Sequence, residues 1–328
     1  MSRETYMDVT GCSNIRSINS CGGDWQGPCQ AAIVECETCT LDIGDEVTVD
    51  MGFADDHAVL LTGYCKNINP KAPDGTYQIH IYDKLILAQD YLIVSDDVEN
   101  PLTYENIAAE DLVQNVLALA SLTDYSGDSP GFTFGTVYPV KVQLIKAWDF
   151  VRQVCEMIAW WCYADSTGTI HFTDRKPYIM DGDTSSHTFT TGDSGDLILV
   201  NHTVSDDKLR NKLVVYGADD IAAKAQASPP SGVTMPAGFH KTAVISYPDI
   251  IDTAQMAQDI AEYNLTLLNR ITETVTLDAV GDPSLVRGQI VTMDEPDHLN
   301  LTGDWFLFEC THRISANDGY RVHCTLSK

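Results

Sequence analysis

Positive charge is scarce in this sequence. Lys and Arg number 20 in 328 residues against 47 Asp and Glu, a formal net charge of −27. Such a chain would repel phosphates instead of releasing counterions from them, which excludes a nucleic-acid clamp. Two readings of the acidity stay open: a solubilising or salt-adapted surface, and the wall of a lumen through which a polyanion must slide without sticking. Long apolar runs are missing as well. Residues 113–122 and 154–163 are too short or too polar to span a bilayer, so no membrane anchor is expected. The opening Met1-Ser2-Arg3-Glu4-Thr5 lacks the apolar segment of a secretory signal, and the expectation is a soluble chain made and assembled in the cytoplasm. Catalytic signatures are also wanting: there is no His-Glu-x-x-His zinc site, no Gly-x-Ser-x-Gly elbow and no P-loop. Carboxylates are so abundant that Asp55/Asp56 or Asp294/Glu295 cannot be singled out as an acid/base pair. No enzyme is expected.

What the sequence does contain is an internal repeat. Leu41-Asp42-Ile43-Gly44-Asp45-Glu46-Val47-Thr48-Val49-Asp50 matches Leu285-Val286-Arg287-Gly288-Gln289-Ile290-Val291-Thr292-Met293-Asp294 in Leu, Gly, Val, Thr and Asp. Both read as a glycine turn leading into a strand, with Val47 and Val49, or Val291 and Met293, on one face. Farther on, Asp56-His57, Leu61-Thr62-Gly63 and Cys65 are answered in order by Asp297-His298, Leu301-Thr302-Gly303 and Cys310. Asp74-Gly75-Thr76-Tyr77-Gln78-Ile79-His80 is answered by Asp318-Gly319-Tyr320-Arg321-Val322-His323. Collinear matches imply a duplicated unit. The last hairpin, residues 305–314 and 320–326, places Cys310 opposite Cys324 if Ile314 pairs with Tyr320. Two apolar core thiols are favoured there over a disulfide. The two Asp-His pairs fall in the loop of the repeat and read as surface residues.

The middle is helical. Leu112, Val113, Val116, Leu117 and Ala120 form one stripe; Leu144, Trp148, Val151, Cys155, Ile158 and Cys162 form a stronger one. Asp165-Ser166-Thr167-Gly168 turns into the second arm of a hairpin at 169–173. Trp148, Trp160 and Trp161 read as core or interface residues. Strands resume at 197–204 and 212–216, and a helix over 252–269 carries Met256, Ile260, Tyr263 and Leu267. The expected fold is therefore α+β and β-dominated: two related small β-barrels, a helix-plus-hairpin domain between them and a small inserted α/β module. The domains read as 1–98, 99–180, 181–217 with 271–328, and 218–270.

Ala147-Trp148-Asp149-Phe150-Val151, Arg210-Asn211-Lys212-Leu213-Val214-Val215-Tyr216-Gly217, Gly281-Asp282-Pro283-Ser284-Leu285-Val286-Arg287-Gly288, Thr311-His312-Arg313-Ile314 and Gly319-Tyr320-Arg321-Val322 add to this domain order. Together they make the chain resemble the baseplate hub and tail-hub (tail-tip) proteins of tailed phages, contractile injection systems and gene-transfer-agent-like tails. The resemblance implies a homotrimer in the virion whose duplicated barrels form a pseudo-sixfold ring. One face would meet the tail tube or distal tail protein, the other a spike, fibre or tip protein. DNA would pass through the ring during ejection without specific binding. A tail-associated cell-wall-degrading enzyme and a secreted carbohydrate-binding or adhesin module are the alternatives. The second would give meaning to the sequons at Asn201, Asn264 and Asn300.

Cysteine is not lacking. Ten are present, five of them in the first forty residues: Cys12, Cys21, Cys29, Cys36 and Cys39, interleaved with Gly22, Gly23 and Gly27. Thiolates in so acidic a chain need a cation, which zinc or an iron–sulfur cluster would supply, with glycine amides donating to cluster sulfurs. Some tail-tip proteins of the resembled family carry such a cluster, yet the spacing fits no ferredoxin or zinc-finger pattern. Three readings stay open for these five: metal ligands, disulfides in the mature particle, and inert thiols.

Overall fold

The computed structural model describes residues 3–25, 27, 29–95, 100–192, 195–270 and 272–328. The expected boundary at residues 98 and 99 lies outside the described residues. Strand accounts for 48% and helix for 14%, a β-dominated chain as the sequence implies.

Twelve strands belong to one sheet. In chain order they are β1 (Thr5–Val9), β2 (Cys12–Asp24), β3 (Ala31–Cys39), β4 (Glu46–Phe53), β5 (Asp56–Lys71), β6 (Thr76–Asp83), β7 (Ser185–Thr190), β8 (Leu197–Ser205), β9 (Thr272–Val280), β10 (Ile290–Glu295), β11 (Leu301–Ser315) and β12 (Gly319–Ser327). The first half runs β1-β4-β5-β6-β3-β2 and the second β7-β10-β11-β12-β9-β8. The two orders are one order written twice. They differ in direction at a single place: β1 is antiparallel to β4, whereas β7 is parallel to β10.

The duplication reaches the hydrogen bonds of the repeated turn. Gly44 and Gly288 both take positive φ, +97° and +88°, which glycine alone adopts without strain. The amide of Gly44 donates to the Cys65 carbonyl at 2.8 Å, and that of Gly288 donates to the Leu307 carbonyl at 2.8 Å. Alternation then buries Val47, Val49, Val291 and Met293, each at most 1% exposed. Each half has its own apolar core, around Val34, Leu61 and Ile79 in the first and Leu277, Leu307 and Leu326 in the second. Ile314 pairs with Tyr320 and Cys310 with Cys324, the register read from the sequence. The two sulfurs lie 4.0 Å apart, buried, as free thiols.

The closed barrels are corrected to two curled halves of one sheet. Among the described residues no ladder joins β1 to β2, although the two-residue turn at Thr10-Gly11 sets them side by side, and none joins β7 to β8. The outer edge of β2 is used elsewhere: it pairs with β11 and fuses the halves.

The helices form a separate body. α1 (Ile86–Asp90), α2 (Ala109–Leu119), α3 (Ala147–Ile158) and the hairpin Trp161–Ala164/Ile170–Thr173 share a core with α4 (Ala254–Leu268) and a three-stranded sheet. In that sheet Lys212–Tyr216 lies between Ala222–Gln226 and Thr242–Ser246. The strand at 212–216 thus sits within the inserted module, and the module and the helix-plus-hairpin segment are one packed unit. The α2 stripe is buried as expected. The longer stripe overruns α3 at both ends: Leu144 takes φ +56° and is 69% exposed, and Ala159 ends the helix in the left-handed conformation. In α4 the Thr253 hydroxyl caps the Met256 amide at 3.1 Å. Tyr263 faces solvent. Asn264 is buried instead, donating to the Met157 carbonyl of α3 at 2.9 Å and so fastening the two helices.

His187 on β7 ties the second half together. Its Nε2 meets Asp196 at 2.8 Å and its Nδ1 meets Asp282 at 3.1 Å. The hydrogen bond to Asp196, then that to Asp282, holds the imidazole's pKa up at about 9 against burial. The same contact pushes Asp282 below the usual carboxylate range. A histidine raised from 6.5 contributes its full stability below pH 6.5 and loses it as pH rises through about 9. His187→Gln is expected to cost roughly 1–2 kcal/mol near pH 6 after solvent screening, shrinking toward zero above about pH 9. Thermal unfolding across that range tests this; a gap in Tm that ignores pH would contradict it.

Candidate assembly interface

The seam between the halves is built from two long neighbours of the sheet, β2 of 13 residues and β11 of 15. β11 pairs with β10 along residues 301–306, then passes into a stretch, 309–315, where β2 takes the vacated side. Ser17 faces Ser315, Ile18 faces Ile314, Cys21 faces His312 and Asp24 faces Glu309. Ile18, Cys21, His312 and Ile314 are buried. Gly22 is required here. Its φ is +143°, and a Cβ would lie 2.0 Å from the Cys310 carbonyl oxygen.

His312 is a buried polar residue of this seam, and its partners fix its state. The Leu285 carbonyl can only accept, so Nε2 carries the proton and donates to it at 2.9 Å, while Nδ1 accepts from the Tyr320 hydroxyl at 2.7 Å. Burial pushes its pKa down to about 4, leaving a neutral ring that both bonds suit.

One end of the seam meets the helical body at a buried ion pair. Arg287, from the turn before β10, lies 3.8 Å from Asp83 at the end of β6, with both side chains at most 3% exposed. Arg287 also donates to the carbonyls of Asp24 at 2.6 Å and Ala164 at 3.3 Å. Asp83 accepts from the amides of Gln30 at 2.6 Å and Leu85 at 3.0 Å. Burial drives Asp83 up to about 7, opposed by Arg287 and these amides, and it lowers Arg287. Beside the pair, Trp25 packs on Tyr163 at 4.6 Å and edge-on to Phe306 at 5.5 Å. One guanidinium thus holds the ends of both halves and the hairpin of the helical body. Trp148, Trp160 and Trp161 line, with Trp25 and Tyr247, a cleft of about 700 Å³ next to this junction.

The N-terminal cysteines do not converge on one point. Cys12 faces Cys39 across β2 and β3, with Cys36 and Cys65 nearby. Cys21 lies in the seam, and Cys29 packs against the helical core. Among the described residues no three His, Cys, Asp or Glu are grouped to hold a metal ion. Burial pushes the thiols of Cys21 and Cys29 up to about 12, which keeps them protonated. A zinc ion or iron–sulfur cluster on Cys12, Cys21, Cys29, Cys36 and Cys39 does not fit this arrangement. Both Asp-His loops fold back on their own hairpins: His57 meets Asp50 at 2.9 Å and stacks on Tyr6, and His298 meets Glu295 at 3.1 Å.

Gly22, Trp25, Asp83 and Arg287 were not singled out by sequence reasoning. Arg287 stands in the repeat opposite Ile43, a residue 61% exposed, and that mismatch was the one available signal.

Arg287→Met would leave a buried unpaired carboxylate and is expected to cost about 3–5 kcal/mol, with Asp83→Asn restoring a large part in the double variant. Gly22→Ala should cost at least about 2 kcal/mol through overpacking and strain. Denaturant unfolding checks both; single variants as stable as the parent would remove the seam from the centre of the fold.

No family model matches the sequence, and no curated protein matches it either. Solved structures do resemble it. A tail protein from Neisseria meningitidis superposes with a TM-score of 0.73 at 12% identity, over 100% of this chain and 97% of that one. The 43 kDa tail protein of prophage MuSo2 from Shewanella oneidensis gives 0.70 at 12% identity, over 99% and 98%. A type VI secretion component from E. coli, described as structurally similar to bacteriophage T4 tail proteins, gives 0.59 at 10% identity, over 98% and 76%. Along its whole length, this chain carries the fold of these tail proteins.

Proposed function

We propose that the chain is a structural, non-catalytic hub of a phage or phage-like tail. It acts as a homotrimer whose six sheet halves form a pseudo-sixfold ring around the channel through which DNA leaves. The observation that carries this reading is the strand order found twice in one chain, with the halves fused edge to edge. A duplicated unit lets three chains present six similar surfaces to a sixfold tube. One face of the ring meets the tail tube or distal tail protein, the other a spike, fibre or tip protein, and the virion tail is its location. The tail proteins that share its fold support this reading. So does the net charge of −27, which suits a wall past which a polyanion slides without sticking.

Imaging of the assembled tail tests the proposal. Three copies of the chain in a six-lobed ring are expected. A different copy number, or a position away from the channel, would overturn it.

A further inference from the structure

The seam inside one chain has two counterparts left open, the outer edge of β8 and the far stretch of β5. β8 occupies in the second half the place of β2 in the first, and among the described residues it pairs only with β9. β5 occupies the place of β11. Beyond Cys65, the side of β5 away from β6 has no strand beside it among the described residues, whereas the same side of β11 is covered by β2. Open edges of this kind template pairing with another chain unless blocked.

The residues along these edges are those a seam needs. Ile18 pairs with Val34 and Cys21 with Ala32; Leu197 pairs with Ala279 and Val200 with Leu277. The β8 ladder shifts register once, between Leu197 and Leu199, and the β2 ladder twice, between Ile15 and Ser17 and between Ile18 and Ser20. Likewise Tyr320 pairs with Ile314 and Val322 with His312, while Tyr77 pairs with Pro70 and Ile79 with Ile68. Ile18, Cys21, His312 and Ile314 are buried in the seam, but Leu197, Val200 and Ile68 are only partly covered and Pro70 is exposed. Alongside them Ile198, Leu199 and Val204 stand 49–57% exposed, an apolar edge with no cover in the single chain.

We propose that β8 of one copy pairs antiparallel with the 66–71 segment of β5 in the next copy, repeating between chains the ladder that β2 and β11 make within one. Pro70 contributes packing but no N–H to this ladder. The contact is heterologous, so successive copies close into a ring of alternating internal and external seams. This inference rests on the ring proposed above and specifies which edges build it.

Amide hydrogen exchange read by mass spectrometry tests it on the intact chain, free at low concentration and assembled in a ring or tail. Peptides covering 197–204 and 66–71 should slow together by at least about tenfold on assembly. An assembled particle in which either segment exchanges as fast as in the free chain overturns the strand-edge contact and leaves the ring standing. A chain that enters neither ring nor tail overturns both. Val204→Lys, at a position of β8 that is 57% exposed in the single chain, should weaken assembly with the monomer's Tm unchanged; assembly equal to the parent's overturns the strand-edge contact.

Discussion

The rest of the molecule depends on the ladder between β2 and β11. Without it the chain would be two curled sheets on a tether; with it, Ile314 and Tyr320 of the second half sit in the core of the first. Backbone pairing of this kind fixes distance and angle together, because a one-residue slip would turn Ile18 and Ile314 away from that core. Gly22 permits the close approach, and His312 sits buried in the ladder with both ring nitrogens satisfied. The buried pair of Arg287 and Asp83 then locks the end of the ladder to the helical body. Such a pair contributes modestly to net stability, since desolvation offsets much of the attraction, but it tolerates no other arrangement of its three attachment points.

The scarcity of positive charge gives that lock its weight. With 20 cations among 47 acids, most Lys and Arg side chains are surrounded by choices of partner, and many surface pairs contribute little. Arg287 has no such choice. It is buried, its ion-pair partner is Asp83, and it also holds two backbone carbonyls and lies over the Tyr163 ring. Specificity in this fold comes from a few enclosed polar contacts, while the exposed acidity is free to serve solubility or the character of a channel wall.

How much could be read before the fold was known follows physical lines. The β4–β5–β6 and β10–β11–β12 hairpins were legible because a turn glycine, alternating apolar residues and a short loop leave local marks, and Cys310 and Cys324 were placed in register from a loop alone. The equivalence of β1, β2 and β3 with β7, β8 and β9 was not legible. Their alignment depends on which distant strand each one joins, and the exposed edge of β8 carries a different pattern from the buried edge of β2. Helix stripes predicted the buried face of α2, erred in α4 at Tyr263, and predicted ends badly: Ala159 and Leu144 adopt left-handed angles that no spacing announces. The dense N-terminal cysteines suggested a common ligand, yet Cys12, Cys36 and Cys39 lie at one end of the β2–β3 ladder, Cys21 lies in the seam and Cys29 lies against the helical core. At the seam itself, Gly22 was noticed as a neighbour of cysteines, not as the point where two backbones nearly touch.

The connection between β8 and β9 differs from its counterpart. Between β2 and β3 the chain needs only residues 25–30, but between β8 and β9 it makes an excursion through residues 206–271, carrying α4 and a small sheet. In a closed assembly every second lobe would therefore bear an arm, and the lobes between would be bare. Such an object has two periodicities in one polypeptide: a rim counted in sixes and a set of projections counted in threes. A symmetry mismatch between neighbouring parts of a tail would then be absorbed by the length of one loop.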